Sequence, residues 1–193
     1  MTVTSLTLAE LTASDCRQRL TALLSPRSTV VLSCGEVPRL PVRVLALALE
    51  LTAAIGAFLR LEGLIPTTRL ALLVVDPERR LAMDETIRTA QVGEHPYQVR
   101  LAEDGTVLVL LHKGVGQHPH MNEAASHEWV RGLDASAVVV DLAQIDHLNS
   151  LLVAWLLQLN QGAGAGRCRL VQVGRQAVAQ LTQLRLNHLL AIS

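Results

Sequence analysis

Aromatic residues are nearly missing from this chain: two Trp, one Tyr and one Phe in 193 residues. That scarcity removes the stacking platforms on which nucleic-acid bases are held, and it obliges any core to be built from Leu, Val and Ala. An excess of charge is missing too. Lys+Arg and Asp+Glu both number 17, for a formal net charge of 0. A chain without a basic field does not draw a polyanion toward it, so no nucleic-acid partner is expected. Cysteine is scarce and dispersed, at Cys16, Cys34 and Cys168. The number is odd and no Cys-x-x-Cys or Cys/His spacing appears, so a reduced, cytoplasmic protein is expected. The opening MTVTSLTLAE has no basic stretch followed by an apolar one, so no signal peptide is expected. A long uncharged run is also absent. The nearest, residues 42–59, is interrupted by Arg43 and Glu50. A bilayer span needs about 20 largely uncharged residues, so this run reads as a buried helix and no membrane partner is expected.

What is present is apolar residue in quantity, 50% of the chain, enough for a real core. Residues 2–8 suggest a short strand, and residues 13–24 a helix with Ser14 as its N-cap. Residues 29–33 are β-branched and predict a strand. Pro41 suits the first turn of a helix that the pattern carries to about Leu61, with Gly63 as its stop. Residues 69–75, RLALLVV, form a continuous apolar run that predicts a strand buried on both faces. Pro77 opens a further expected helix to Thr89, and residues 93–96, GEHP, serve as a linker. Domains at 1–92 and 96–193 follow from that division.

After the linker, residues 97–101 and 106–111 are predicted strands around an Asp-Gly turn signal. A helix is expected from Asn122 to Leu133, a strand at 137–142, a helix after residue 150, a strand at 169–173 and a helix at 176–184. The order β-β-α-β-α-β-α implies an α/β domain whose sheet is at least partly parallel.

The informative stretch is 137–161, AVVVDLAQIDHLNSLLVAWLLQLNQ. It joins a β-branched run to an apolar helix through a polar turn, with Asn149 and Ser150 at the joint. An ungapped offset of 108 residues lays 30–51 on 138–159. It matches Val30 with Val138, Val31 with Val139, Leu40 with Leu148, Ala46 with Ala154 and Leu51 with Leu159. Either the chain contains a duplication, or a Leu/Val/Ala-rich composition produces such matches by chance. Under a duplication, Asn149 corresponds to Pro41 and Ser150 to Val42.

Residues 97–192 resemble a STAS domain, the fold of bacterial anti-sigma factor antagonists. The likeness is carried by VVVDL at 138–142, LNS at 148–150, RLVQV at 169–173 and AVAQLTQLRLNHLLAI at 177–192. In that family the joint typically reads Asp-Ser-Ser-Gly-Leu, and the serine directly after the Asp is phosphorylated. Here Asn149 takes the Asp position, Ser150 the phosphoserine position, and Leu151 and Leu152 replace the second Ser and the Gly. The resemblance implies a STAS-like mixed sheet with crossover helices. With a degenerate N-terminal copy, the chain would carry two tandem STAS-like domains. It further implies a non-enzymatic module that binds an anti-sigma factor/serine kinase and is released by phosphorylation of Ser150. The kinase, not this chain, would bind the nucleotide, so no cofactor is expected.

From the residues themselves, a serine at a helix start either caps free backbone N–H groups or carries phosphate at the positive end of the helix dipole. Both roles stay open. The expected partner-binding surface is Asp146, Asn149, Ser150, Leu151, Leu152 and Trp155, the last as an aromatic anchor. Asp141 and Asp146 read as turn-ordering residues. Residues 162–166, GAGAG, follow a helix and lack the Gly-Lys-Ser/Thr of a phosphate loop. Two other classes remain. One is a constitutive structural module, such as a homodimer. The other is a metal-dependent enzyme using His112, His118, His120 and His127, for which no fourth ligand is evident.

Overall fold

The structure is a computed structural model that describes residues 3–11, 16–26, 28–35, 37–78, 80–82, 95–164 and 166–193. The expected Ser14 cap, most of the 77–89 helix and the first half of the 93–96 linker lie outside the described residues.

The N-terminal half contributes strand β1 (Val3–Thr7), helix α1 (Cys16–Leu23), strands β2 (Thr29–Ser33) and β3 (Leu40–Pro41), and helix α2 (Val42–Ile55). Strand β4 (Phe58–Glu62), helix α3 (Pro66–Val75) and strand β5 (Leu81–Ala82) complete it. The C-terminal half contributes β6 (Tyr97–Leu101), β7 (Thr106–Leu111), a short helix α4 (Ala125–Glu128), β8 (Leu133–Asp134) and β9 (Ala137–Asp141). It continues with α5 (Ser150–Ala163), β10 (Cys168–Val171), α6 (Arg175–Gln183) and β11 (Ala191–Ile192). The fold is α/β, as expected.

Three expectations are corrected. The second helix ends at Ile55, not Leu61, because Gly56 takes a left-handed conformation (φ +67°) and its N–H closes on Thr52 O at 3.1 Å. The following FLRLE becomes β4, whose Leu59 and Leu61 are buried between exposed Phe58, Arg60 and Glu62. The 69–75 run is helix rather than strand. It belongs to α3, which Pro66 starts from a position where its missing N–H costs nothing. The expected 122–133 helix is also shorter. It is one α-helical turn, α4, between 3-10 turns at Pro119–Asn122 and Trp129–Gly132.

The first sheet has the order β1-β2-β4-β5, all parallel. The second has the order β11-β10-β9-β7-β6, parallel except for the β6–β7 hairpin. Strand for strand, β1-β2-β4-β5 repeats β7-β9-β10-β11, and β6 is the addition. The 108-residue offset carries Thr29–Ser33 onto Ala137–Asp141, and Val42–Ile55 onto Ser150–Ala163. The same offset brings β4 onto the β10 region and α3 onto α6.

The halves are joined by parallel pairing of β3 with β8, Leu40 to Leu133 and Pro41 to Asp134. Arg43 Nε donates to Glu103 O at 3.0 Å from the β6–β7 turn. A single apolar cluster runs through both halves, from Leu8 to Leu190. Helix α3 packs against the 129–132 turn so closely that a Cβ on Gly132 would sit 2.3 Å from Thr67 O.

Candidate functional site

Strands β7 and β9 are parallel neighbours, so the loops after them leave the same edge of the sheet. In open α/β sheets that carboxyl edge is where binding sites form. The loop after β9 is held by its own side chains. Asp141 Oδ1 accepts from Ala143 N at 2.8 Å. Gln180 on α6 clasps the Leu148 peptide: Leu148 N donates to Oε1 at 2.8 Å, and Nε2 donates to Leu148 O at 3.2 Å. The loop then enters α5 through Asn149, whose backbone is extended (φ −86°, ψ 169°). Its Oδ1 accepts from Leu152 N at 2.8 Å, while Nδ2 donates to Gly116 O at 2.7 Å. A Cβ on Gly116 would lie 2.9 Å from Asn149 Nδ2, so a larger residue there would displace the capping amide.

Asn149 is therefore the cap of α5, and the capping role considered for Ser150 is corrected. Ser150 is the first helical residue and its side chain is exposed. Asn149 also lines a surface cavity of about 290 Å³, with residues 113–117, 144–147 and Leu152. Asp146 is exposed on its wall, and Leu151 is half-buried. Leu152 and Trp155 are each only 1% exposed. Both were expected on a partner-binding surface, and both belong to the core instead. Helix α5 presents them inward because they share its buried stripe with Leu156 and Leu159.

Trp155 is fixed further by chemistry. Its indole N–H donates to Ser126 O at 3.1 Å. The same carbonyl accepts from Trp129 Nε1 at 3.0 Å and from the Tyr97 hydroxyl at 2.6 Å. Three of the chain's four aromatic residues thus converge on one buried carbonyl. Sequence reading missed this node. The available signal was the rarity of aromatics, each of which had to be placed where its polar end found an acceptor.

His118 and His120 flank Pro119 in a 3-10 turn, with His118 Nδ1 accepting from His120 N at 3.3 Å. His120 Nδ1 lies 2.8 Å from Glu123 Oε2. His112 follows β7, and His127 sits on α4. Among the described residues, no group of three or more His, Cys, Asp or Glu side chains is arranged to hold a metal. The histidine that packs on His120 is His95, which the sequence did not single out. Its ring centroid is 4.7 Å from that of His120 and 5.4 Å from that of Tyr97. Burial, with help from His120, pushes its pKa down to about 4. Burial likewise pushes the Cys34 and Cys168 thiols up to about 11, which keeps them protonated and unreactive at neutral pH. Cys34 and Cys168 are free and buried. No helix among the described residues is long and apolar enough to cross a membrane.

No protein-family model and no curated protein matches the sequence. Among solved structures, an NMR structure of the protein TM1081 is similar over 54% of this chain and 83% of its own, at 14% identity and a TM-score of 0.43.

Proposed function

We propose that this chain is a non-enzymatic protein-binding module resembling an anti-sigma factor antagonist. Its docking surface is the turn before α5, and phosphorylation of Ser150 releases the partner. The observation that supports this reading is the position of Ser150: exposed, first in a 14-residue helix, and next to a cavity-lining cap at the carboxyl edge of parallel strands. A phosphoryl group there adds about −1.5 to −2 charges at the positive end of the helix dipole, where backbone N–H groups tolerate it. The surface on offer is Asp146, Ser150, Leu151 and the cavity rim, with Leu152 and Trp155 supporting it from beneath. The partner would be a serine kinase acting as the anti-sigma factor, and it would supply the nucleotide.

Incubation with the cognate kinase and ATP, followed by peptide mass analysis, is expected to place one phosphoryl group on Ser150. Binding of that kinase is expected to survive Ser150→Ala and to drop at least tenfold in Ser150→Asp. Equal binding by the two variants would sink the switch. It would favour a second reading, a constitutive structural module. The double engagement of Asn149, which occupies the place of the family's acid, is the observation on that side.

A further inference from the structure

The docking turn leaves the histidine pair at the start of β6 unused. Both ring nitrogens of His95 and Nε2 of His120 are buried and find no hydrogen-bond partner among the described residues. Leaving such groups unpaired is costly, and in native structures it marks stored strain or a functional role. His120 is held from its other side by Glu123, whose Oε2 lies 2.8 Å from its Nδ1. The Glu123 carbonyl accepts from Ser126 N at 3.0 Å and from Ser126 Oγ at 2.7 Å. The Ser126 carbonyl then gathers Tyr97, Trp129 and Trp155. The His95–His120 contact is therefore the outer end of a chain of contacts that closes the 118–132 segment over β6 and α5.

We propose that the His95–His120 contact is an acid-released latch: it holds the 118–132 segment closed while His95 is neutral, and opens when His95 gains a proton. A second ring proton on His95 would find no acceptor within hydrogen-bond distance among the described residues, since neither ring nitrogen has a partner there. The titratable groups that face His95 are His120 and His118, which oppose a positive charge, and Glu123, which favours it. Tyr97, packed against it from β6, stays neutral because burial pushes its hydroxyl pKa up. The sign follows from burial. The closed state lowers the pKa of His95 from 6.5 to about 4. Closure is thus at full strength above pH 6.5 and is lost as pH falls toward 4. Between pH 7 and pH 5 the opening equilibrium should rise about 20-fold. The segment begins two residues after Gly116, whose carbonyl anchors Asn149, so opening is felt next to the docking turn. The latch stands whether or not Ser150 accepts phosphate.

Native-state hydrogen exchange on the full chain tests it. Protection of the backbone amides at 126–130, corrected for intrinsic rates, is expected to fall about 20-fold from pH 7 to pH 5 in the wild type. It is expected to fall much less in His95→Phe, which keeps a ring and cannot titrate, the remainder coming from His127, whose pKa burial also lowers. An equal fall in His95→Phe overturns the latch. Should that variant fail to fold, proton NMR titration of wild-type His95 decides. A midpoint well below 6.5 supports the latch, and a midpoint at the ordinary histidine value overturns it.

Discussion

The two strand-turn-helix units, β2-α2 and β9-α5, share length, register and place in their sheets, yet their turns have opposite fates. In the first unit the turn is consumed by structure: Leu40 and Pro41 pair with β8, and Pro41 precedes the helix with no side-chain cap. In the second, the turn stays at the surface, capped by Asn149 and followed by an exposed serine. The same backbone supports an internal joint in one half and an accessible edge in the other. The difference lies in a few side chains at the helix start. An apolar Val42, fully buried, continues the joint, and a polar Ser150 at the matching position keeps the edge open.

The comparison breaks first at the helix centres. Trp155 of α5 matches Leu47 of α2 by the 108-residue offset, and both are buried. Trp155→Ala should cost about 3–5 kcal/mol, since it leaves a large void and removes a donor from the Ser126 carbonyl. Leu47→Ala should cost less, about 2–3 kcal/mol. Urea unfolding of both variants measures the gap, and equal losses would mean that the aromatic node adds nothing to the second unit. Next comes the joint between halves. Gly132→Ala places a Cβ against Thr67 O and should destabilise by about 1–3 kcal/mol, with the midpoint of the same urea transition as the measure.

The turns themselves respond more gently. Asn149→Asp keeps the cap but sets a carboxylate against the Gly116 carbonyl, where an amide N–H now donates. The expected cost is about 1–2 kcal/mol at pH 7, shrinking below about pH 4 as the acid regains a proton to donate. Pro41→Ala, at the matching position, should shift stability by under about 1 kcal/mol, because no side-chain cap is lost. Thermal unfolding at pH 7 and pH 4 separates the pair. The smallest effect is expected from Ser150→Ala, within about 0.5 kcal/mol, since that side chain is exposed and does not cap. A larger loss would return the serine to a structural role.

Much of the fold could be read from the sequence. The Asp-Gly hairpin, the β-branched strands at 29–33 and 137–141 and both long helix starts carry local signals strong enough to survive packing. The errors have physical causes. A short apolar run such as RLALLVV has no periodicity that separates a buried helix from a buried strand. There, Pro66 at the first helical position was the better guide. FLRLE was lost because it follows an apolar helix with only Gly56 and Ala57 between. At the candidate site, the sequence located the exposed serine but gave its cap to the wrong residue. The choice between Asn149 and Ser150 depends on Gly116, 33 residues upstream, whose carbonyl orients the amide. The inward face of Trp155 was equally hidden, because its acceptor sits on another helix.

The convergence of aromatics on Ser126 has an optical consequence. Both tryptophans and the one tyrosine lie in the C-terminal half, and the N-terminal half contains only Phe58, which is 54% exposed. Near-ultraviolet dichroism and intrinsic fluorescence therefore watch one point in this protein. If the N-terminal sheet melted alone, those signals would scarcely move. Far-ultraviolet dichroism would register the loss, and the two transition curves would part.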